Sequence, residues 1–300
     1  MKNKVGIVLV NYKNYKVTIE CLKSLQKIDN FNECEIYVVD NGSNNHSEIE
    51  LEKEKEIISF VLIVLNKNMG FAYGNNVGIK KALENGCNYI LLLNNDTEVK
   101  SDFLTKMLYS ANSKRVVVPK IFYYYKKNII WYAGGNINWK TGDTNHIGVG
   151  KTDSNLYNKK MYTEFASGCC ILVNKEIIEN VGLLSEDYFM YYEDTDYCAR
   201  IKKNGYKILY EPKAVIWHKV GASNNGEYSE FMAYYMAKNR LKFLRRYSKK
   251  IWLYVGIVRT FLSGVKGILL KKNSKKSLIA LIDYIKEVKN ENRNNGWNRE

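Results

Sequence analysis

Asp96 closes an apolar run and stands behind two amides in Asn94-Asn95-Asp96-Thr97. A carboxylate beside an amide oxygen suits a hard divalent cation, Mg2+ or Mn2+, which takes oxygen ligands and completes its shell with substrate phosphates. The same Asp would serve as a helix cap, although Ser101 or Asp102 is better placed for that. Farther along, Tyr191-Tyr192-Glu193-Asp194-Thr195-Asp196-Tyr197 is the densest acidic cluster of the chain body. Crowded carboxylates repel, so at least one is expected to hold its proton unusually tightly. In a helix Glu193 and Asp196 share a side and Asp196 pairs with Arg200, which leaves Asp194 for chemistry. An ordinary helix with an acidic first turn has the same letters. His218 ends the apolar run Ala214-Val215-Ile216-Trp217. It carries chemistry only where it faces Asp96 or a phosphate.

A glycine-rich segment, Asn68-Met69-Gly70-Phe71-Ala72-Tyr73-Gly74-Asn75-Asn76-Val77-Gly78, precedes a helix. It lacks GxGxxG, and no Gly-Lys-Ser/Thr follows, which argues against a standard dinucleotide or ATP-hydrolysing site. Glycines there let backbone approach a ligand and a helix approach a sheet.

These groups need a scaffold, and the first 125 residues read as alternating strands and helices. Buried strands are predicted at Val5–Val10, Glu35–Asp40, Phe60–Leu65 and Tyr89–Leu93. Helical spacing runs through Tyr15–Ile28, by way of Val17, Cys21, Leu22 and Leu25, and through Asn75–Glu84. The alternation implies an α/β fold with a mostly parallel, doubly wound sheet. Such sheets bind ligands beyond the carboxyl ends of their strands. All four ends here are polar: Asn11-Tyr12, Asp40-Asn41-Gly42-Ser43, Asn66-Lys67-Asn68 and Asn94-Asn95-Asp96. Further strands are expected at Arg115–Phe122, Gly168–Val173 and Tyr206–Trp217, with Gly134–Gly150 as a candidate mobile loop.

Six cysteines without zinc-like spacing, and an N-terminal apolar run too short for a signal peptide, point to a reducing cytosol. Of the net charge of +15, residues 231–300 carry 17 Lys and Arg against 4 Asp and Glu, so the body is nearly neutral. A basic, aromatic-rich tail needs an anionic partner. Arg259 and Lys266 would sit badly inside a membrane span but comfortably on a helix lying in the interface, with Trp252, Leu253, Val255, Ile257 and Phe261 as apolar contacts. Nucleic acid is the rival partner, and the body offers it no basic groove. Packing of the tail on the body or on a second copy is a third reading, and the oligomeric state is left open. The boundary between a catalytic domain, 1–226, and the helical region, 227–300, is placed at Gly226.

Taken in order, Val8-Leu9-Val10-Asn11-Tyr12, Val38-Val39-Asp40-Asn41-Gly42-Ser43, Asn68 to Asn76, Leu93 to Thr97, Ser167-Gly168 and Glu193 to Asp196 resemble the family 2 glycosyltransferases of GT-A fold, in particular rhamnosyltransferase-like members. The resemblance spans residues 5 to about 220. It implies a Rossmann-like sheet and an inverting transfer of a sugar, with rhamnose from dTDP-rhamnose favoured, from a nucleoside diphosphate to a hydroxyl of a lipid-linked or polysaccharide acceptor in envelope glycan synthesis. It implies a donor pocket of Val10, Asn11, Tyr12, Asp40, Asn68, Gly70, Asn75, Asn94 and Asn95. Asn94-Asn95-Asp96 resembles the DxD metal motif with its first Asp replaced by Asn, so Asp96 is the chief ligand and His218 completes the metal shell. Asp194 matches the catalytic base, with Glu193 beside it, and Ser167, Gly168 and Trp217 fall on the acceptor side. The alternatives are a nucleotidyltransferase, for which Asn11-Tyr12-Lys13-Asn14 lacks a basic phosphate loop, and an inactive sugar-nucleotide binding module.

Overall fold

The computed structural model describes residues 4–220 and 229–297. The chain divides into two compact units. One holds most of the chain up to residue 220; the other holds the C-terminal helices together with Ile137–Asp143 and Met190–Tyr192. The expected boundary at Gly226 lies outside the described residues.

In the first unit the apolar runs become β1 (Val5–Asn11), β2 (Cys34–Asp40), β3 (Val61–Val64) and β4 (Tyr89–Leu93). Between them lie α1 (Tyr15–Leu25), α2 (Ser47–Glu54) and α3 (Phe71–Glu84). Thr18, Cys21, Leu22 and Leu25 form the buried stripe of α1, as their spacing predicts. The helix stops three residues short of Ile28, where the backbone tightens into a turn. Helix α3 begins at Phe71, four residues before the expected start. The glycine-rich segment is therefore its first turns rather than a loop ahead of it. A Cβ on Gly78 would lie 2.4 Å from Val8 Cγ1, and one on Gly74 3.0 Å from Val10 Cγ1. Hydrogen at Gly78 is what lets α3 lie this close to β1, and at Gly74 a methyl would press tightly on Val10.

The chain continues through β5 (Thr97–Val99), α4 (Phe103–Ser110), β6 (Arg115–Tyr123) and β7 (Lys126–Tyr132). Gly134–Gly150, expected as a loop, holds two short paired strands, β8 (Gly135–Ile137) and β9 (Thr144–His146). Then come β10 (Met161–Thr163), β11 (Cys170–Asn174), α5 (Lys175–Val181), α6 (Glu193–Lys203) and β12 (Lys207–His218). The main sheet runs β10-β12-β6-β11-β4-β1-β2-β3, with β5 on β12 and β7 on β6.

Direction decides where the site can form. β3, β2, β1 and β4 are mutually parallel, β12 is parallel to β6, and β11 runs antiparallel to both β4 and β6. The reversed β11 therefore starts at the sheet edge where β1, β2, β4 and β12 end. That edge collects Asn11, Asp40, Asn94, the Ser167–Cys169 turn and His218.

In the second unit α7 (Glu230–Tyr247), α8 (Lys250–Leu269) and α9 (Lys276–Trp297) pack around Leu241, Leu281 and Tyr284. Helix α8 is the one described helix long and apolar enough to cross a membrane. Its buried face is small, at Gly256, Thr260, Gly264 and Gly267. Ile251, Tyr254, Val258, Phe261 and Leu262 are exposed.

Candidate functional site

Residues 94–96 follow β4 directly, and the short strand β5 then turns back to pair with β12. Its register sets Thr97 opposite His218, and the Lys219 N–H donates to the Asp96 carbonyl at 2.8 Å. Asp96 thus meets the end of β12 by strand pairing. Its Oδ1 stands 3.0 Å from His218 Nε2, without the alignment of a hydrogen bond. Both side chains are buried. Burial works against charge on His218, but the Cys169 sulfur and the Asp96 carboxylate outweigh it and hold the imidazole well above its ordinary pKa. Only a neutral imidazole ligates a metal, so a bound cation would displace that proton.

These residues fit a divalent cation. Asp96 Oδ1, Asn94 Oδ1 and His218 Nδ1 are buried polar atoms without hydrogen-bond partners, and such atoms are uncommon unless something else satisfies them. Among the described residues no group of three or more His, Cys, Asp or Glu is placed to hold a metal ion by itself. The protein's share is a carboxylate, an imidazole and amide oxygen.

On the other side of the Ser167–Cys169 turn lies the acidic cluster, which forms the first turn of α6. Asp196 pairs with Arg200 Nε at 2.8 Å, four residues on, as expected for a helix. Asp194 faces the opposite way: its Oδ2 accepts from the Gly168 N–H at 3.0 Å and its Oδ1 from the Thr195 N–H at 2.7 Å. Asp194 is half-buried and Glu193 buried. Burial, rather than mutual repulsion first, raises both pKa values. Glu193 is pushed well above the usual range by burial and then by the Asp194 charge, and its Oε2 has no partner. The N–H groups of Gly168 and Thr195 favour the ionised form of Asp194. The pair titrates together, and the N–H bonds from Gly168 and Thr195 favour placing its charge on Asp194.

The remaining edge is a network of amides and hydroxyls. Asn11 and Asp40 are register partners, and Asn11 Nδ2 donates to Asp40 Oδ2 at 2.6 Å. Asp40 also accepts from the Ser43 N–H and hydroxyl, so its carboxylate locks the strand ends together. Thr18 links Asn11 to Asn95 through bonds of 2.8 Å on either side. Asn68 Oδ1 accepts from Asn41 Nδ2 and the Gly70 N–H, which fixes the entry to α3. Gly70 has φ +93, and a Cβ there would strike the Phe189 carbonyl at 2.4 Å. Val10 lies beneath Gly74, and Tyr12 is exposed at the rim.

Two expected positions lie elsewhere. Asn75 spends its amide on the Phe71 carbonyl within α3, at 2.9 Å. Its neighbour Asn76 bonds the Leu184 backbone in both directions and reaches Glu186, anchoring the segment that leads to α6. Trp217, placed on the acceptor side, points to the face of β12 opposite His218, because strand side chains alternate. Its indole N–H donates to the Lys127 carbonyl and its ring lies under the Lys127 ammonium. Ser167 is buried, and its hydroxyl accepts from the Cys169 N–H at 3.3 Å. Sequence reasoning also missed Thr18 and Cys169, which carry no motif and are recognisable only through their contacts.

A mostly parallel sheet with β11 reversed between β4 and β6, flanked by helices, is the fold of the GT-A class of glycosyltransferases. The sequence model of glycosyl transferase family 2 matches residues 6–182, and the chain belongs to that family. It is a glycosyltransferase. It is 26% identical to the dTDP-rhamnosyl transferase RfbF of Shigella flexneri, over 96% of this chain and 97% of that protein. Among solved structures, the fold resembles S. aureus TarS 1-349 in complex with UDP (TM-score 0.57, 17% identity, 94% of this chain and 81% of that one). It also resembles the mannosyltransferase PcManGT of Pyrobaculum calidifontis in complex with GDP-Man and Mn2+ (TM-score 0.56, 13% identity, 99% and 88%).

Proposed function

We propose that this chain transfers rhamnose from dTDP-rhamnose to a hydroxyl of a lipid-linked or polysaccharide acceptor, with inversion, at the inner face of a membrane. One observation carries the reading: the Ser167–Cys169 turn is bonded to Asp194 on one side and to Asn94 on the other, two residues from Asp96. A base and a cation-holding carboxylate then serve one cleft. The donor sugar rests on the likeness to RfbF along nearly the whole chain. The lipid-linked acceptor is supported by 37% identity over 70 residues to the N-acetylglucosaminyl-diphospho-decaprenol L-rhamnosyltransferase of Mycobacterium tuberculosis.

In this reading Asp194 takes the proton of the acceptor hydroxyl as that oxygen attacks the anomeric carbon. A single attack from the face opposite the diphosphate inverts the centre. Asp96 and His218 would hold Mg2+ or Mn2+, and the PcManGT complex supports Mn2+. When bound, the cation neutralises charge developing on the departing diphosphate. Asn11, Asn68 and Asn95 line the donor pocket, and Asp40 acts there by fixing Asn11 rather than through a free carboxylate. Neutral Glu193 keeps a second charge away from Asp194.

The exposed apolar face of α8, between basic residues such as Lys250 and Lys266, supports a helix lying on an anionic lipid surface. A second reading, a sugar-nucleotide binding module, draws on the sparse metal shell and on Asn94. A thermal-shift panel of dTDP, UDP and GDP, each with and without Mn2+, tests the donor. The proposal expects the largest shift with dTDP and a further gain with Mn2+. A larger shift with UDP or GDP overturns the donor, and turnover of donor to free sugar excludes the inactive module.

A further inference from the structure

Tyr191 and Tyr192 have φ of +66 and +74, two successive aromatic residues in left-handed backbone. Bulky side chains seldom adopt it, and they keep it only when their surroundings impose it. The next residue is Glu193, the first of α6, followed by Asp194. Residues 190–192 lead directly into the first turn of α6.

One side chain on α7 holds that path. Asn239 is 2% exposed, and its Nδ2 donates to the carbonyls of both Met190 and Tyr191 at 2.9 Å. Asn is a poor helix former and α7 gains nothing from a buried amide in its middle. Its two N–H groups are spent on carbonyls of the strained segment. One turn along the same face, buried Phe243 meets the Tyr192 ring at 5.9 Å between centroids. Asn239 and Phe243 together clamp the two residues that glycine would otherwise have to supply.

We infer that Asn239 is a positioning residue for Asp194: its paired hydrogen bonds hold the Met190–Tyr192 backbone that aims the first turn of α6. The inference rests on Asp194 being the base. It also gives the C-terminal helical region a part in turnover that is separate from membrane attachment.

The test compares Asn239→Ala and Asn239→Asp, the second keeping the shape while losing both donors, in the full chain and in an Asp194→Asn chain. In the otherwise unaltered chain, kcat falls by on the order of 10- to 100-fold. Donor KM, Mn2+ requirement and circular dichroism stay unchanged. In the Asp194→Asn chain, the same substitution lowers the residual rate less than threefold, because its effect passes through the missing carboxylate. An equal loss in both backgrounds, or a loss matching the folded fraction, overturns the inference. Full turnover in Asp194→Asn alone removes the base, and that single variant reports it separately. Where Asn239→Ala folds poorly, adding Tyr191→Gly, which accepts left-handed backbone unaided, restores folding and part of the rate. Absence of that recovery also overturns the inference.

Discussion

The Gly168 N–H donates to the Asp194 carboxylate at 3.0 Å, and the carbonyl of the next residue, Cys169, accepts from the Asn94 N–H at 2.8 Å. One turn thus ties the acidic helix start to the strand end that bears Asp96. Three residues hold together groups that the sequence separates widely, and the metal and base assignments stand or fall with that turn.

Glu193 and Asp194 predict different responses to the same chemical change. Burial and the Asp194 charge favour the neutral form of Glu193, so Glu193→Gln replaces that form with another neutral group of the same shape. Its kcat should stay within about tenfold of the parent, well short of the roughly 100- to 10,000-fold contribution expected from a general base. Steady-state rates on both variants check this; a loss in Glu193→Gln as deep as in Asp194→Asn contradicts it.

Burial raises the Asp194 pKa, only partly offset by the N–H groups of Gly168 and Thr195. A base works when ionised, so activity is full above the raised pKa and lost as pH falls through it. The acidic limb of kcat should therefore lie above the ordinary Asp value of about 3.9. A pH–rate profile measured under saturating donor and Mn2+ reads it directly, and a limb at or below that value counts against Asp194.

The metal shell can be both strengthened and weakened. Asn94 Oδ1 is buried without a partner two residues before Asp96, so Asn94→Asp adds a carboxylate where one is missing. It should lower the Mn2+ concentration for half-maximal turnover, whereas Asp96→Ala and His218→Ala raise it, Asp96→Ala more. Titrating Mn2+ after chelation tests the order; unchanged requirements across all three variants would contradict the site.

Helix α3 supplies a stability prediction. Gly78→Ala adds helix propensity of about 1 kcal/mol, yet the new Cβ would lie 2.4 Å from Cγ1 of the fully buried Val8. Overpacking of that kind costs about 1–3 kcal/mol, so the clash wins. Urea unfolding should show a net loss, and a smaller loss when Gly78→Ala is made in a Val8→Ala chain, where the clashing Cγ1 is gone.

The parallel strands were legible because their apolar runs are short, buried on both faces and bounded by polar turns. The edge residues Asn11, Asp40 and Asp96 followed from that pattern. Less was legible where tertiary contact decides. The start of α3 was obscured because Gly70 and Gly74 stand ahead of the expected start at Asn75, although they let the helix touch β1 and the Phe189 backbone. Asn75 and Asn76 look alike in sequence, and only helix phase separates the one bonded to its own helix from the one that anchors Leu184. The alternation of β12 could have turned Trp217 away from His218 beforehand, had the strand's end been fixed at His218.

The most direct measurement is transfer by Asp194→Asn, with dTDP binding in Mn2+ measured on the same preparation by calorimetry. Rhamnose transfer reduced at least 100-fold, with the dissociation constant for dTDP within about threefold of the parent, is the predicted pair of results. Ordinary turnover in that variant would contradict the central claim.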